Sequence, residues 1–199
     1  MLPPVGFWFL RHGETDWNAE GRSQGAVDVP LNANGEAQAE RAALLLKDAG
    51  IASISASPLR RARRTAEIVA AALGLPVRYD LELREVAFAG REGQPIGAWY
   101  EDWIGGIATP EGAEPFAELA ERARRAVTSA LGRPAPVLVV SHGAFFRALR
   151  VSMRLSPEVR TPNGVPMFCD PPAAARPDQG WSLRAPRALS VVGAPGISG

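Results

Sequence analysis

The stretch Phe7–Asn18 reads FWFLRHGETDWN. An apolar run with strand character breaks off at Arg11-His12-Gly13-Glu14. Side chains along a strand alternate between the two faces of a sheet, so Arg11 and His12 within a strand would point to opposite sides. They can meet at one ligand only if it lies beyond the strand's C-terminal end, where the chain turns into a loop. Open α/β sheets hold their ligands there. Arginine offers a planar fork of donors suited to phosphate or carboxylate; histidine can act as nucleophile, acid, base or metal ligand. Gly13 lets the backbone turn and approach closely. The stretch predicts a phosphate site on a strand end.

A second strand end repeats the pattern. Val137–Val140 is a continuous apolar run, as expected of a strand buried on both faces, and Ser141-His142-Gly143 follows. The chain has two histidines, His12 and His142. Both stand at such an end, each followed by glycine, which favours a shared functional role over two structural ones.

The segments between alternate in type. Asn32 looks like an N-cap for a helix through Leu46 that stops at Gly50. Ile51–Ala56 is a short strand. Ser57-Pro58 is a helix start, with Ser as cap and Pro in the first helical position, and that helix ends at Gly74. Val77–Tyr79 is a brief strand, Phe116–Leu131 a longer helix, and Phe145–Met153 another. After Ser156 come short strand-like pieces at Val165–Cys169 and Trp181–Leu183. The alternation predicts an α/β fold: a three-layer α/β/α sandwich about a mostly parallel sheet. A single domain is expected over residues 1–185, with an irregular segment at about 90–115 and a flexible tail over 186–199.

Arg60, Arg61, Arg63 and Arg64 fall in the first turns of the helix expected after Ser57. Cations at a helix N-terminus are disfavoured by a few tenths to about one kcal/mol each. A solvated face with neighbouring acids accounts for some of them; at least one is expected to bind an anion at that end. Spacing does not choose among them. A carboxyl near the histidines could serve as general acid if burial keeps it protonated, and Glu82, Glu85 and Glu92 are all candidates.

Taken together, these residues resemble the histidine phosphatase superfamily, the phosphoglycerate mutase-like proteins with an RHG motif. The likeness rests on Arg11-His12-Gly13-Glu14-Thr15, Gly21-Arg22-Ser23-Gln24-Gly25 and Ser57-Pro58-Leu59-Arg60-Arg61. Leu83-Arg84-Glu85 and Val139-Val140-Ser141-His142-Gly143 complete it, and the blocks follow in order over residues 5–155. The resemblance selects Arg61 and Glu85. It implies that His12 becomes a phosphohistidine, with its other ring N–H held by a nearby backbone carbonyl. Arg11, Arg61 and His142 would then clamp the transferring phosphoryl oxygens, and Glu85 would protonate the leaving alkoxide and later activate water. Asn18, Gln24 and Gly143 would line the phosphate pocket. No metal and no cofactor is implied. The likeness departs from the family at Phe88-Ala89-Gly90-Arg91-Glu92-Gly93, where glycine is displaced by one residue, and at Gly112-Ala113-Glu114-Pro115 before the long helix.

Composition narrows the partners. With 199 residues and a formal charge of +1, the chain carries no global bias toward nucleic acid or an anionic membrane. Cys169 is the single cysteine, which excludes an intrachain disulfide and a cysteine metal cluster. The apolar run at Val5–Leu10 is too short to span a bilayer, and a cytoplasmic location is expected. The expected partner is a small phosphorylated substrate; the oligomeric state stays open, a homodimer included. The resemblance implies a mixed, mostly parallel central sheet and a small cap segment at about 90–115, and Trp99, Tyr100 and Trp103 fall in that cap. They either pack a short helix or face the site, and the second case would imply a flat or apolar substrate body. Three activities are carried forward: a phosphomonoesterase, a phosphomutase, and an idle member that binds a phosphorylated ligand or a protein.

Overall fold

The computed structural model describes residues 1–176 and 178–186, so the tail expected from 186 onward lies almost wholly outside the described residues. Six strands form one sheet: β1 (Phe7–Arg11), β2 (Ser53–Ala56), β3 (Val77–Tyr79), β4 (Val137–Ser141), β5 (Pro166–Asp170) and β6 (Ser182–Arg184), in the spatial order β3-β2-β4-β1-β5-β6. The pairs β3·β2, β2·β4 and β4·β1 are parallel, whereas β5 and β6 run antiparallel. The sheet is thus mixed and mostly parallel, as expected.

The period-two alternation of β1 and β4 splits the core in two. Phe7 and Phe9 share one face with Val137 and Val139. There they pack against α5 (Phe116–Leu131) and α6 (Gly143–Ser152) through Leu119, Val127, Phe145 and Phe146. Leu10, Leu138 and Val140 face the other way, onto α2 (Ala33–Leu46) and α3 (Arg60–Leu73) through Ala42, Leu46, Ala66 and Val69. Helices therefore cover both faces, and both sets of apolar residues are withdrawn from water. Two short helices, α1 (Asp16–Ala19) and α4 (Ala98–Ile104), lie in the connecting loops.

The cap assignments hold at Asn32, whose side chain accepts the Gly35 N–H at 2.8 Å, and at Gly74, which takes the left-handed conformation with φ 66°. They fail at Ser57. The helix starts later than predicted, at Arg60, and the Asp28 carboxylate accepts the Arg60 N–H at 2.6 Å. A carboxylate from another loop outcompetes the local serine, whose hydroxyl is engaged elsewhere. Helix α6 begins at Gly143, ahead of the predicted start at Phe145. Helix α5 begins at Phe116 with Pro115 before it and no side-chain cap.

One close approach fixes the loop after β1. A Cβ on Gly13 would lie 2.3 Å from the Gly35 carbonyl oxygen, and one on Gly35 would lie 2.1 Å from that of Glu14. The two backbones touch, so neither position admits a side chain.

Candidate active site

A cavity of about 860 Å³ opens at the C-terminal ends of β1 and β4, with Arg11, His12, Asn18, Gln24, Arg61, Glu85 and Gly143 in its wall. His142 completes the group: it is fully buried, and its ring centre lies 5.2 Å from that of His12. Every site residue that the resemblance selects is therefore brought to one place. Strand alternation explains how. Arg11 continues the face of Phe9 and leans toward α6, while His12 and His142 continue the face of Leu10 and Val140 toward α3. The cavity sits past the strand ends, where both faces are within reach.

His12 Nδ1 lies 2.7 Å from the Gly13 carbonyl oxygen. A carbonyl only accepts, so the hydrogen sits on Nδ1 and Nε2 keeps a lone pair when the ring is neutral. Burial, together with the positive charges of Arg61 and Arg11, holds His12 well below the ordinary histidine value. His142 is held down in the same way, by burial first and then by Arg61, His12 and Arg11. Both rings are neutral near neutral pH.

The two arginines are buried and ionised. Arg11 donates from Nη1 to the Thr161 carbonyl at 2.7 Å; Arg61 donates to the Val27 and Gly25 carbonyls, both at 2.8 Å. Burial pushes each guanidinium down to about 10, opposed mainly by the charge of Glu85. In each, Nε has no partner among the described residues. Two buried cations sharing one nearby carboxylate are costly unless an anion joins them. The other arginines of α3 behave as an ordinary solvated face: Arg63 pairs with Glu67 and Arg64 with Glu36, all in substantial contact with water.

Glu85 is placed by α6. Its carboxylate accepts the Ala144 N–H at 3.0 Å and the Phe145 N–H at 2.8 Å, at the helix N-terminus where negative charge is favoured. Glu92, an alternative acid from sequence, instead ties loops together by accepting the Ala26 and Phe88 N–H groups. Glu82 faces water and pairs with Arg125. Gly143 lets Arg11 lie against the α6 backbone, since a Cβ there would be 3.2 Å from the Arg11 Cζ and Nε atoms. Gln24 is buried with its Oε1 unpartnered among the described residues.

Of the cap aromatics, Trp103 is fully buried and donates to the Glu114 carbonyl, and Trp99 packs edge-on against Phe88 while donating to Pro95. Tyr100 alone of the three reaches the cavity, beside Ile96, Ile104, Arg147 and Arg160. The aromatic cluster is chiefly core packing, and the outer wall is mixed in character, not flat and apolar.

Sequence reasoning missed three contributors. Ser57 meets His142 Nε2 at 2.8 Å, Thr161 receives Arg11, and Asn163 reaches the carbonyl of His12 at 3.0 Å. The last two lie about 150 positions from their partners, in a stretch whose composition signals only a turn.

Residues 7–159 match the family model of the histidine phosphatase superfamily (branch 1). This chain belongs to that superfamily. Among curated relatives, the Escherichia coli strain K12/DH10B has a protein named "Probable phosphoglycerate mutase GpmB" that is 40% identical over 148 residues, or 68% of either chain. Among solved structures, a mycobacterial glucosyl-3-phosphoglycerate phosphatase in complex with VO3 superposes with a TM-score of 0.78 at 28% identity, covering 89% of this chain and 96% of its own. A second solved structure, the protein TTHB049 from Thermus thermophilus, superposes with a TM-score of 0.70 at 34% identity, covering 83% and 94%. All the sequence blocks quoted above fall inside the span that the family model matches; the Arg160–Gly164 stretch falls outside it. Among the described residues no helix is long and apolar enough to cross a membrane.

Proposed function

We propose that this superfamily member is a metal-independent phosphomonoesterase acting through a phosphohistidine on His12. The observation that carries the reading is the His12 tautomer: with Nδ1–H on the Gly13 carbonyl, Nε2 holds its lone pair among Arg11, Arg61 and His142. In the first step Nε2 attacks phosphorus and the P–O bond to the alcohol breaks. Glu85, protonated as the substrate's phosphate enters beside it, gives that proton to the departing alkoxide. Arg11, Arg61 and His142 take up the charge on the equatorial oxygens. In the second step water attacks phosphorus, Glu85 takes its proton, the P–N bond breaks and phosphate leaves. Arg11 and Arg61 supply the positive charge that a metal supplies elsewhere, and neutral His142 adds a hydrogen bond. Among the described residues no three His, Cys, Asp or Glu side chains are grouped to hold an ion.

The cavity supports a substrate larger than a bare three-carbon acid, since about 860 Å³ falls in the range of roughly 300–1,000 Å³ that houses drug-sized ligands. In the outer wall Arg22, Arg147 and Arg160 outnumber Glu101 and Glu158, which favours an ester whose alcohol carries its own negative charge. Both features agree with the name of the mycobacterial structural relative. The test is phosphate release across sugar, nucleotide, cofactor and acid phosphates with EDTA present and His12→Ala as the blank. Turnover that survives EDTA and vanishes in His12→Ala is expected; loss of activity in EDTA would sink the metal-independent mechanism.

The 40% identity to proteins named as phosphoglycerate mutases supports a second reading, a phosphomutase. It predicts that one phosphoglycerate isomer converts to the other faster than free phosphate appears.

A further inference from the structure

The turn Thr161–Gly164 enters from the opposite end of the sequence and lies directly against the nucleophile's backbone. It leads into β5, which runs antiparallel to β1 with Pro166 opposite Leu10. The ladder is prolonged by Gly164 N–H donating to the Arg11 carbonyl at 3.1 Å. Gly164 has φ 64°, and a Cβ there would lie 2.5 Å from that of Gln38, so the turn is locked in place.

From this turn the Asn163 side-chain nitrogen reaches three oxygens: the His12 carbonyl at 3.0 Å, Asn18 Oδ1 at 3.1 Å and the Gly13 carbonyl at 3.4 Å. The first two are acceptors facing the same amide, so that end must be the NH₂, with one hydrogen for each. Asn18 Oδ1 also accepts the Thr15 N–H at 3.3 Å. With its oxygen facing two donors, Asn18 must turn its own NH₂ the other way. Asn18 lines the cavity, and its NH₂ makes no hydrogen bond among the described residues. The Gly13 carbonyl beside Asn163 is the one that holds His12 Nδ1–H.

We infer that Asn163 is a positioning residue for His12: its amide anchors the His12 carbonyl, next to the Gly13 carbonyl that sets the nucleophile's tautomer, and turns the Asn18 NH₂ toward the phosphoryl group. It touches neither substrate nor the reacting atoms. The kinetic part of this inference rests on the phosphohistidine reading above; the tautomer part does not.

The chain's two histidines make the test direct. With ¹⁵N-labelled histidine, wild type gives two imidazoles, and His12 is expected to show a protonated Nδ1 and an unprotonated Nε2. In Asn163→Ala the His12 signals are expected to move toward a mixture of both tautomers while His142 stays put, which also reports an intact fold. Asn163→Asp keeps the size and shape of the side chain but has no N–H to give, and the same His12 change is expected. Both variants should lower kcat by about 10- to 100-fold, by analogy with the loss when an outer partner that orients a metal-bound imidazole is removed. Wild-type His12 protonated on Nε2 would overturn the inference. So would Asn163→Asp with wild-type His12 signals, whatever its activity. If wild type turns over no phosphate ester, the enzymatic reading fails instead, and the spectra still decide the role of Asn163.

Discussion

His142 Nε2 lies 2.8 Å from the hydroxyl of Ser57, and both residues are fully buried. The same hydroxyl oxygen accepts the Leu59 N–H at 3.3 Å, and among the described residues its own hydrogen has no acceptor other than the ring, so it donates to Nε2. That leaves the ring proton of His142 on Nδ1, which has no partner among the described residues and is available to a phosphoryl oxygen. In Ser57→Ala the ring is free to adopt the other tautomer. We expect kcat/KM to fall about tenfold, equivalent to ~1.4 kcal/mol, and the fold to lose about 1 kcal/mol for the missing hydrogen bond. Steady-state kinetics beside urea unfolding check both; an unchanged kcat/KM would show that Ser57 does not set this tautomer.

Gly143→Ala probes Arg11 without touching it. The new Cβ would stand 3.2 Å from the Arg11 Cζ and Nε atoms, closer than ordinary contact, so the guanidinium must shift by a few tenths of an ångström. Alanine is a better helix former than glycine by about 0.8–1 kcal/mol, and Gly143 opens α6. The expected result is a protein at least as stable as wild type whose kcat/KM is down about tenfold, since small misplacements of charged donors cost that much or more. Equal activity at equal stability would mean that the guanidinium has room to spare.

The buried histidines set an acid limit on stability. Above an unfolded-state value of about 6.5, both rings are neutral folded and unfolded and contribute no slope. As pH falls below that, the unfolded chain takes up two protons while the folded one does not, because burial and the neighbouring arginines hold His12 and His142 well below the ordinary value. Stability should therefore be full above about pH 6.5 and fall on acidification by up to about 1.4 kcal/mol per pH unit for each ring. Urea midpoints between about pH 7 and pH 5 measure it. His142→Gln should remove about half of the slope over that interval, and an unaltered slope would show that His142 is not buried neutral.

Ala89 has φ 50°, the left-handed region that an L side chain enters at a cost of roughly 1–2 kcal/mol. Glycine stands one residue further on, at Gly90, so an alanine takes the left-handed position itself. Its methyl is exposed, and little packing is lost without it. Ala89→Gly should stabilise the protein by roughly 0.5–1 kcal/mol after the larger backbone entropy of glycine is counted. A drop in the urea midpoint would contradict this.

Much of the site is legible in the chain because its parts sit at local signals. A strand end marks Arg11-His12, another marks His142, and a helix opening marks Arg61. The sheet follows from the same alternation, since residues of period two in β1 and β4 fill both cores. Arg61 could not be told from Arg60, Arg63 and Arg64 by spacing, because what separates them is burial under the Gly25–Val27 loop, a contact made across the fold. Ser57 looked like a helix cap for the same reason: its real partner, His142, is 85 positions away. Asn163 gave no sign at all. Its sequence context, Thr-Pro-Asn-Gly, is that of any turn, and only the antiparallel return of β5 beside β1 brings it to His12.

The phosphohistidine mechanism requires that His12 carry the phosphoryl group. Rapid acid-free quenching of wild type with a labelled phosphate monoester, followed by peptide mass spectrometry, tests it directly. The account predicts an acid-labile, base-stable phosphoryl group on the peptide containing His12, absent from His12→Ala and longer-lived in Glu85→Ala, which lacks the base that activates water. Turnover by wild type with no label on His12, or label on another residue that persists in His12→Ala, would contradict it.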